Sequence, residues 1–172
     1  MPTQYNRYSK LFHWTIALAV LVEYISAWIM PEHVRNPETL VNFHMSFGVL
    51  ILTLMLIRFI WRLFSTIPPP HTEMPDWQAR ASLWMHYALY ILLILMPLLG
   101  WLWASARGWQ VTLFGLVNLP QLITAQPSIA RLLGEGHSII GSLILILVGL
   151  HIAAALYHWL IVKDDVMQRM WP

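Results

Sequence analysis

Three histidines lie in a long apolar segment near the C-terminus that contains no charged residue, from Gly136 to Trp159. His137, His151 and His158 are spaced by fourteen and then seven residues. At about 100° per residue, these spacings bring the three imidazoles to within roughly 40° of one helical face. With a rise of about 1.5 Å per residue, the first two lie ~21 Å apart along the axis, near opposite sides of a hydrocarbon core ~30 Å thick. Because a histidine inside a membrane usually needs a partner and marks function, the segment predicts two stacked sites, one in each leaflet.

The composition is that of a membrane protein. Hydrophobic residues make up 58% of the chain and charged residues 10%, with a mean hydropathy of +0.60, whereas about a quarter of the residues of a soluble domain are charged. Ten Trp and six Tyr suit the interfaces of a bilayer, where these rings can be half wet. The absence of cysteine excludes disulfides, thiolate metal sites, iron–sulfur clusters and covalently attached haem. We therefore expect one membrane domain over residues 1–172.

Four segments are long and apolar enough to span a bilayer. The predicted spans run from about Leu11 to Met30, from Asn36 to Phe64, from Asp76 to Ala104 with a kink at Pro97, and from Gly136 to Trp159. The stretch from Ser105 to Glu135 is too polar and too often interrupted to span, so it is predicted to form short pieces in the interface. The predicted fold is an all-α integral membrane four-helix bundle.

Lysine and arginine are unequally distributed between the two sides of this bundle, which predicts its orientation. The side with both termini and the proline-rich linker carries Arg7, Lys10, Arg58, Arg62, Arg80, Lys163 and Arg169, and the other side carries Arg35, Arg107 and Arg131. Seven against three places both termini in the cytoplasm. In that topology the outer half contains His44 and His137, and the cytoplasmic half contains His13, His86, His151 and His158.

Neutral imidazole binds zinc, copper or haem iron, and two histidines from facing helices commonly hold a b-type haem in a bundle. Zinc usually requires three or four ligands at one depth, whereas the outer half offers two histidines. A haem also needs flat space beside its ligand, and the residue at i+4 lies on the same helical face. Small residues follow four histidines at this spacing: Gly48 after His44, Gly141 after His137, Ala17 after His13 and Ala155 after His151.

This pattern predicts an outer haem b between His44 and His137 and a cytoplasmic haem b between His13 and His151. Larger residues follow the other two intramembrane histidines at i+4: Tyr90 follows His86 and Val162 follows His158. Ser82, one turn before His86, weakens that exclusion, so whether His86 or His13 is the cytoplasmic ligand stays open. Small residues also serve helix packing in membranes, which is the structural alternative for the whole pattern.

The sequence resembles the bacterial cytochrome b561 family in SKLFHWTIA, NFHMSFG, MPLLG and, most specifically, GLHIAAALYHW followed by KDDVMQRMWP. The resemblance runs from end to end and implies a small four-helix di-haem protein of the bacterial inner membrane. It implies haem ligands on the first, second and fourth helices, onto which His13, His44, His137 and His151 map. It also implies ubiquinone near the cytoplasmic haem, and some members act as superoxide:ubiquinone oxidoreductases. Glu23, in the middle of the first span, has no place in this pattern, although an acid at that depth should be protonated or paired.

Three classes of function follow from these observations. The chain could be an oxidoreductase that passes electrons from a small outer donor, such as superoxide, to ubiquinone. It could instead be the haem-bearing electron-carrier subunit of a larger hydrogenase or formate dehydrogenase complex, or a transporter with structural histidines. In the first class His86 and His158, which hold no iron in this assignment, are candidates to exchange protons with the quinone, with propionate or interfacial contacts as the alternative. The expected partners are lipid, ubiquinone and a small redox donor, and no nucleic acid.

Capture of superoxide, an anion, requires positive charge near the outer haem. The outer loops carry Arg35, Arg107 and Arg131 against Glu32, Glu38 and Glu135, which is formally neutral. Steering therefore needs the arginines to cluster at the haem edge while the acids point away. Arg107 and Arg131, in the long third connection, are the predicted residues for anion capture.

Overall fold

The computed structural model of the chain describes residues 4–30, 39–66, 68 and 74–171. Its long helices are α1 (Arg7–Trp28), α2 (Thr39–Phe64), α3 (Asp76–Ala106) and α4 (Pro127–Tyr157), and a π-helical turn (His158–Val162) continues α4. Two short strands, β1 (Thr112–Leu113) and β2 (Val117–Asn118), form an antiparallel hairpin. Each of the four helices is long and apolar enough to cross a membrane. The predicted all-α membrane bundle is thereby confirmed.

The helices alternate in direction, and each packs against the next one along the chain. Trp61 near the end of α2 donates an indole N–H to Ser9 Oγ at the start of α1 over 3.2 Å. The rings of Phe59 in α2 and Tyr90 in α3 meet with centroids 6.2 Å apart. In the described part of the chain, no Cα of α1 lies within 8 Å of a Cα of α4. Side chains bridge the two helices, as where Tyr24 donates its hydroxyl to Gly141 O at 2.6 Å.

The two ends of the bundle differ in what closes them. At one end the terminal segments meet, because Tyr5 N–H donates to Arg169 O at 3.3 Å and Trp14 Nε1 donates to Met170 O at 2.9 Å. We call this the terminal end, and we call the opposite end, which carries β1 and β2, the hairpin end. The assignment of the terminal end to the cytoplasm stays a prediction.

The hydrophobic core lies mainly between α1 and α2. Its buried members are Ile16, Ala19, Val20, Ile51 and Met55. Large apolar side chains on the outer faces of all four helices are exposed, among them Leu21, Ile57, Ile91 and Leu145. In a bilayer these faces contact lipid tails, so the bundle is held together by packing and by contacts between helices rather than by burial from water.

The hairpin is anchored on α2 close to a candidate ligand. The hydroxyl of Ser46, which is 1% exposed, lies 2.7 Å from Asn42 O in its own helix and 2.8 Å from Thr112 O of the hairpin, and it accepts the N–H of Phe114 at 2.9 Å. The turn of the hairpin has two consecutive positive φ angles, 49° at Phe114 and 72° at Gly115, and the glycine adopts its angle without steric cost. Because His44 lies two residues before Ser46, the hairpin contacts α2 at the level of that histidine.

Some predicted boundaries differ from the structure. α3 continues to Ala106, with Pro97 inside one continuous helix, and α4 begins at Pro127 rather than at Gly136. Proline is favoured in the first turn of a helix, where its missing N–H would have no partner, so Pro127 starts the last helix. The segment predicted to form short interfacial pieces contains a hairpin, and its last part is the first two turns of α4. The start of the second helix predicted at Asn36 lies outside the described residues.

Candidate metal centres

Two pairs of histidines face each other across the bundle. The ring centroids of His44 on α2 and His137 on α4 are 6.2 Å apart, and those of His13 on α1 and His151 on α4 are also 6.2 Å apart. An imidazole nitrogen lies roughly 1.1 Å from its ring centroid and binds a transition metal at about 2.0–2.1 Å, so a metal held between two imidazoles separates the centroids by about 6.3 Å. The separation of each pair is therefore compatible with one metal ion bound between the two rings.

The number of ligands restricts the kind of metal that fits. Among the described residues, no group of three or more His, Cys, Asp or Glu side chains is arranged to hold a metal ion. A bare zinc ion would need such a group. Haem iron does not, because the macrocycle supplies four ligands and the protein needs to supply only the two axial ones. The paired geometry therefore fits haem better than a protein-bound metal ion.

The proton position on His44 follows from its neighbours on α1. Ser26 Oγ donates its proton to the carbonyl oxygen of Glu23 at 2.8 Å and lies 3.0 Å from His44 Nδ1. Because the hydroxyl proton is already used, the serine oxygen accepts from the ring, and His44 carries its proton on Nδ1. His44 Nε2 is then unprotonated and available to a metal.

Glu23, for which the sequence gave no partner, lies beside this ring. Its Oε1 is 3.4 Å from His44 Nδ1, and a Cβ added at Gly48 would lie 3.4 Å from the same oxygen. Within the described chain, the buried Oε2 has no hydrogen-bond partner. The Glu23 carboxyl group thus lies against the small residue at i+4 from His44. No sequence signal pointed to this contact, because it joins two helices at positions that share no spacing.

His137 is held by packing rather than by a hydrogen bond. Its Nδ1 is buried and has no hydrogen-bond partner among the described residues. The ring lies against Trp103, with centroids 5.4 Å apart, and a Cβ added at Gly100 would lie 3.0 Å from its Cε1. Gly100 on α3 therefore allows the close approach that places this imidazole.

His13 has a cation next to its ring. Arg58 Nη1 on α2 lies 3.3 Å from His13 Nδ1. A guanidinium group can only donate, so Nδ1 accepts and the proton of the neutral ring is on Nε2. This is the opposite tautomer to that of His44. Binding of a metal to His13 Nε2 therefore requires that Arg58 turn away from Nδ1.

The terminal end also contains a third imidazole, His86 on α3. Its ring centroid lies 5.5 Å from that of His151, and its Nδ1 lies 2.6 Å from Ser82 O. The carbonyl accepts the Nδ1 proton, which leaves Nε2 of His86 free. The 5.5 Å separation is shorter than the roughly 6.3 Å that a shared metal requires. Spacing thus favours His13 as the partner of His151, whereas the tautomer favours His86.

His158 is the first residue of the π-helical turn and has a carboxylate partner. Its Nδ1 lies 2.5 Å from Asp164 Oδ2, and both side chains are largely buried, at 13% exposure each. Lys163, with φ 59°, ends the turn by donating its N–H to His158 O at 2.7 Å. Sequence reasoning missed Asp164, although its position just beyond the apolar segment could have suggested it. Within the described residues, no ring contact joins His158 to His86.

The two arginines predicted to capture an anion line the same open cavity at the hairpin end. The cavity is about 390 Å³ and is lined by Trp103, Arg107, Ala130, Arg131, Gly134 and Glu135. The Arg107 guanidinium carbon lies 3.7 Å from the centroid of the Trp109 ring. Arg131 Nε is 4.0 Å from Glu135 Oε1. Arg107 and Arg131 thus line one cavity, and Glu135 shares it instead of pointing away. Arg35, Glu32 and Glu38 lie outside the described residues, so clustering at the haem edge stays a prediction.

Comparison with known proteins adds to this geometry. Residues 4–172 match the family model described as prokaryotic cytochrome b561. The chain is 30% identical to cytochrome b561 homolog 2 of Escherichia coli (strain K12), over 98% of this chain and 92% of that protein. It is 29% identical to cytochrome b561 homolog 1 of the same organism, over 97% and 98%. It is 28% identical to the probable superoxide oxidase CybB of Yersinia pestis, over 98% and 97%.

Proposed function

The chain belongs to the prokaryotic cytochrome b561 family, and we propose that it carries electrons across the bacterial inner membrane from superoxide to ubiquinone. Membership makes it a multi-pass haem b protein of that membrane, in contact with lipid. The observation that supports the proposal is the equal 6.2 Å separation of two histidine pairs at opposite ends of the bundle. Two such sites at two depths provide what transmembrane electron transfer needs.

Two haem b groups, one held by His44 and His137 and the other by His13 and His151, supply one-electron carriers when bound. α4 contributes one ligand to each site, so the rigid helix sets the distance between them at ~21 Å along its axis. His13 is preferred to His86 because its separation from His151 matches that of the hairpin-end pair. In this assignment the proton of His13 moves to Nδ1 and Arg58 turns away.

At the hairpin end, the cavity that contains Arg107 and Arg131 receives the anionic donor. Positive charge in a concave site raises the local concentration of an anion and its rate of association. Trp103 lines this cavity and also contacts the ring of His137, so a donor bound there lies next to the hairpin-end ligand. The name of the Yersinia pestis relative, a probable superoxide oxidase, supports superoxide as this donor.

At the terminal end, this proposal assigns His158 and Asp164 to proton exchange with the quinone. Reduction of ubiquinone to ubiquinol takes up two electrons and two protons. Asp164 accepts the Nδ1 proton of His158, which fixes the ring and leaves Nε2 to take up a proton and, once protonated, to donate it to a quinone carbonyl oxygen. Uptake of a proton on Nε2 forms an imidazolium whose charge Asp164 stabilises, and transfer of that proton to the quinone oxygen returns His158 to the neutral imidazole. His86 is the second candidate for proton exchange in this half of the bundle.

Spectroscopy and a coupled assay test the proposal. The purified holoprotein should contain two b haems per chain in a pyridine haemochrome assay. Superoxide generated by xanthine oxidase should reduce these haems and, when ubiquinone is added, yield ubiquinol. The proposal fails if superoxide reduces the haems no faster than it reduces a control b-type cytochrome. Copurification of a partner with iron–sulfur clusters or molybdenum would instead support the electron-carrier subunit.

A further inference from the structure

We propose that Arg58 and Arg62 of α2 bind the propionate groups of the terminal-end haem. The inference rests on the proposed haem between His13 and His151, and it assigns the residues that hold the edge of the macrocycle rather than its iron. The chain has no cysteine, so such a haem is held only by its axial ligands and by noncovalent contacts. Its two propionate carboxylates need hydrogen-bond donors or cations when they lie inside a membrane protein.

The two arginines lie one turn apart on the same face of α2. Their guanidinium carbons are 5.5 Å and 5.7 Å from the centroid of the Tyr90 ring of α3. The ring attracts both cations but carries no negative charge to neutralise them. Arg58 is six residues before the end of α2, so it lies ~9 Å inside the span. An arginine at that depth is costly unless it has an anionic or carbonyl partner.

A small cavity lies beside this arginine pair. It is about 20 Å³, and Ser9, Arg58, Trp61, Arg62 and Tyr90 are among the residues that line it. No Asp or Glu of the described chain lines it. Trp61 Nε1 donates to Ser9 Oγ at 3.2 Å, so the hydroxyl proton of the serine can be donated to an anion. The cavity therefore offers cations and a hydroxyl donor, in a space that suits about one water-sized polar group.

This cavity adjoins the proposed haem site. Arg58, which lines it, lies 3.3 Å through Nη1 from His13 Nδ1. Ser9 is one turn before His13 on the same face of α1, and therefore ~6 Å nearer to the terminal end. When iron binds His13 Nε2, the proton of the ring is on Nδ1, which can no longer accept from the guanidinium group. A propionate then gives the displaced Arg58 a new partner.

Arginine suits this role, because its planar guanidinium group binds a carboxylate through two parallel N–H donors. Two arginines also match the two propionates of one haem. The alternative partner is the phosphate of an anionic lipid, since basic side chains near the end of a span reach toward the headgroups. The contact of Arg58 with His13 and the small size of the cavity favour the propionates over a separate headgroup.

Haem retention by the purified holoprotein with Arg58→Gln and Arg62→Gln combined tests the inference. Glutamine keeps a hydrogen-bond donor at each position but removes both charges. We expect the terminal-end haem to pass to excess apomyoglobin about tenfold faster than in the parent protein, because charge-assisted hydrogen bonds to its carboxylates are lost. The resonance Raman bands of its propionate groups should shift, which a purely structural role would not require. The hairpin-end haem is the internal control and should be retained as in the parent protein.

Three further variants keep the result interpretable. Arg58→Lys combined with Arg62→Lys keeps both charges without the two parallel donors, so it should shift the propionate bands and give intermediate retention. This variant carries the test if the glutamine variant does not fold. Arg80→Gln removes an exposed arginine of α3 at the same end and should match the parent protein. The spectrum of His44→Ala, which should contain the terminal-end haem alone, identifies the haem that is lost.

The inference is overturned if the arginine variants keep the parental retention and propionate bands, or if both haems are lost equally fast. It is also overturned if retention is unchanged while the anionic phospholipid that copurifies, measured by mass spectrometry, decreases, because the arginines then bind lipid. If His13→Ala keeps both haems, the proposed ligand assignment fails, and this inference fails with it.

Discussion

The hairpin-end and terminal-end histidine pairs have the same separation but different surroundings. At the hairpin end, His44 Nδ1 is hydrogen-bonded to Ser26 Oγ of α1, and Glu23 Oε1 of the same helix lies 3.4 Å away. At the terminal end, His13 faces the guanidinium group of Arg58, and His86 lies on the other side of the shared His151. The hairpin-end ring therefore already has the tautomer that a metal requires, whereas the terminal-end pair has to rearrange. The two pairs thus share a spacing, and their neighbouring donors and acceptors determine how far each must rearrange to bind a metal.

The largest expected effect comes from removing one axial ligand at a time. His44→Ala should abolish the hairpin-end haem and His13→Ala the terminal-end haem, because each iron loses one of its two protein ligands. Pyridine haemochrome and reduced-minus-oxidised spectra should show about half the parental haem in either variant. His158→Ala, in the same membrane half as His13, is the matched control and should retain both haems. Loss of both haems from either ligand variant would mean that the sites are not independent.

The third histidine at the terminal end provides the next test of the comparison. If spacing decides, His86→Ala should keep both haems and His13→Ala should lose one. If the iron instead binds the free Nε2 of His86, His13→Ala should keep both haems and His86→Ala should lose one. The haem content of the two variants, purified in parallel, separates these outcomes because only one of the two imidazoles can share the iron with His151.

Packing around the hairpin-end pair should respond to a single methyl group. An alanine Cβ at Gly100 would lie 3.0 Å from His137 Cε1, so Gly100→Ala should displace the ring, reduce occupancy of the hairpin-end haem and lower the free energy of unfolding by about 1–3 kcal/mol. Gly149→Ala is the control, since a Cβ there meets nothing within 4 Å. Thermal unfolding in detergent, with haem absorbance as the probe, measures both effects. Equal behaviour of the two variants would contradict the packing role of Gly100.

The sequence predicted the parts of this molecule that depend on periodicity and composition. The four spans, and the shared face of α4 that carries His137 and His151, follow from apolar length and from residue spacing along one helix. The pairing of His137 with His44, and of His151 with His13, followed from the depth of each histidine in the membrane once the orientation of the bundle was assumed. The ligand roles themselves stay proposals.

Contacts between helices could not be predicted in the same way, because they depend on how each helix is rotated about its axis. Three contacts are of this kind. They are the hydrogen bond from His44 to Ser26, the position of Arg58 beside His13, and the carboxyl group of Glu23 over Gly48. The folded hairpin was missed for a related reason. Its strands are two residues each, too short to show alternation, and its anchor on Ser46 is a tertiary contact.

The smallest expected effect concerns the donor side of the hairpin end. Arg107→Ala or Arg131→Ala should slow haem reduction by superoxide about threefold, because one positive charge near the cavity contributes only part of the electrostatic attraction. The effect should shrink with added salt as the Debye length falls from ~30 Å at 0.01 M to ~8 Å at 0.15 M.

Arg131 should have the weaker effect, since Glu135 lies 4.0 Å from its Nε and offsets its charge. Glu135→Gln should then accelerate the same step, and Arg7→Ala, at the terminal end, should leave it unchanged. If both arginine variants match the parent protein at low salt, the cavity does not capture the donor, and the contrast between the two ends is confined to their histidine pairs.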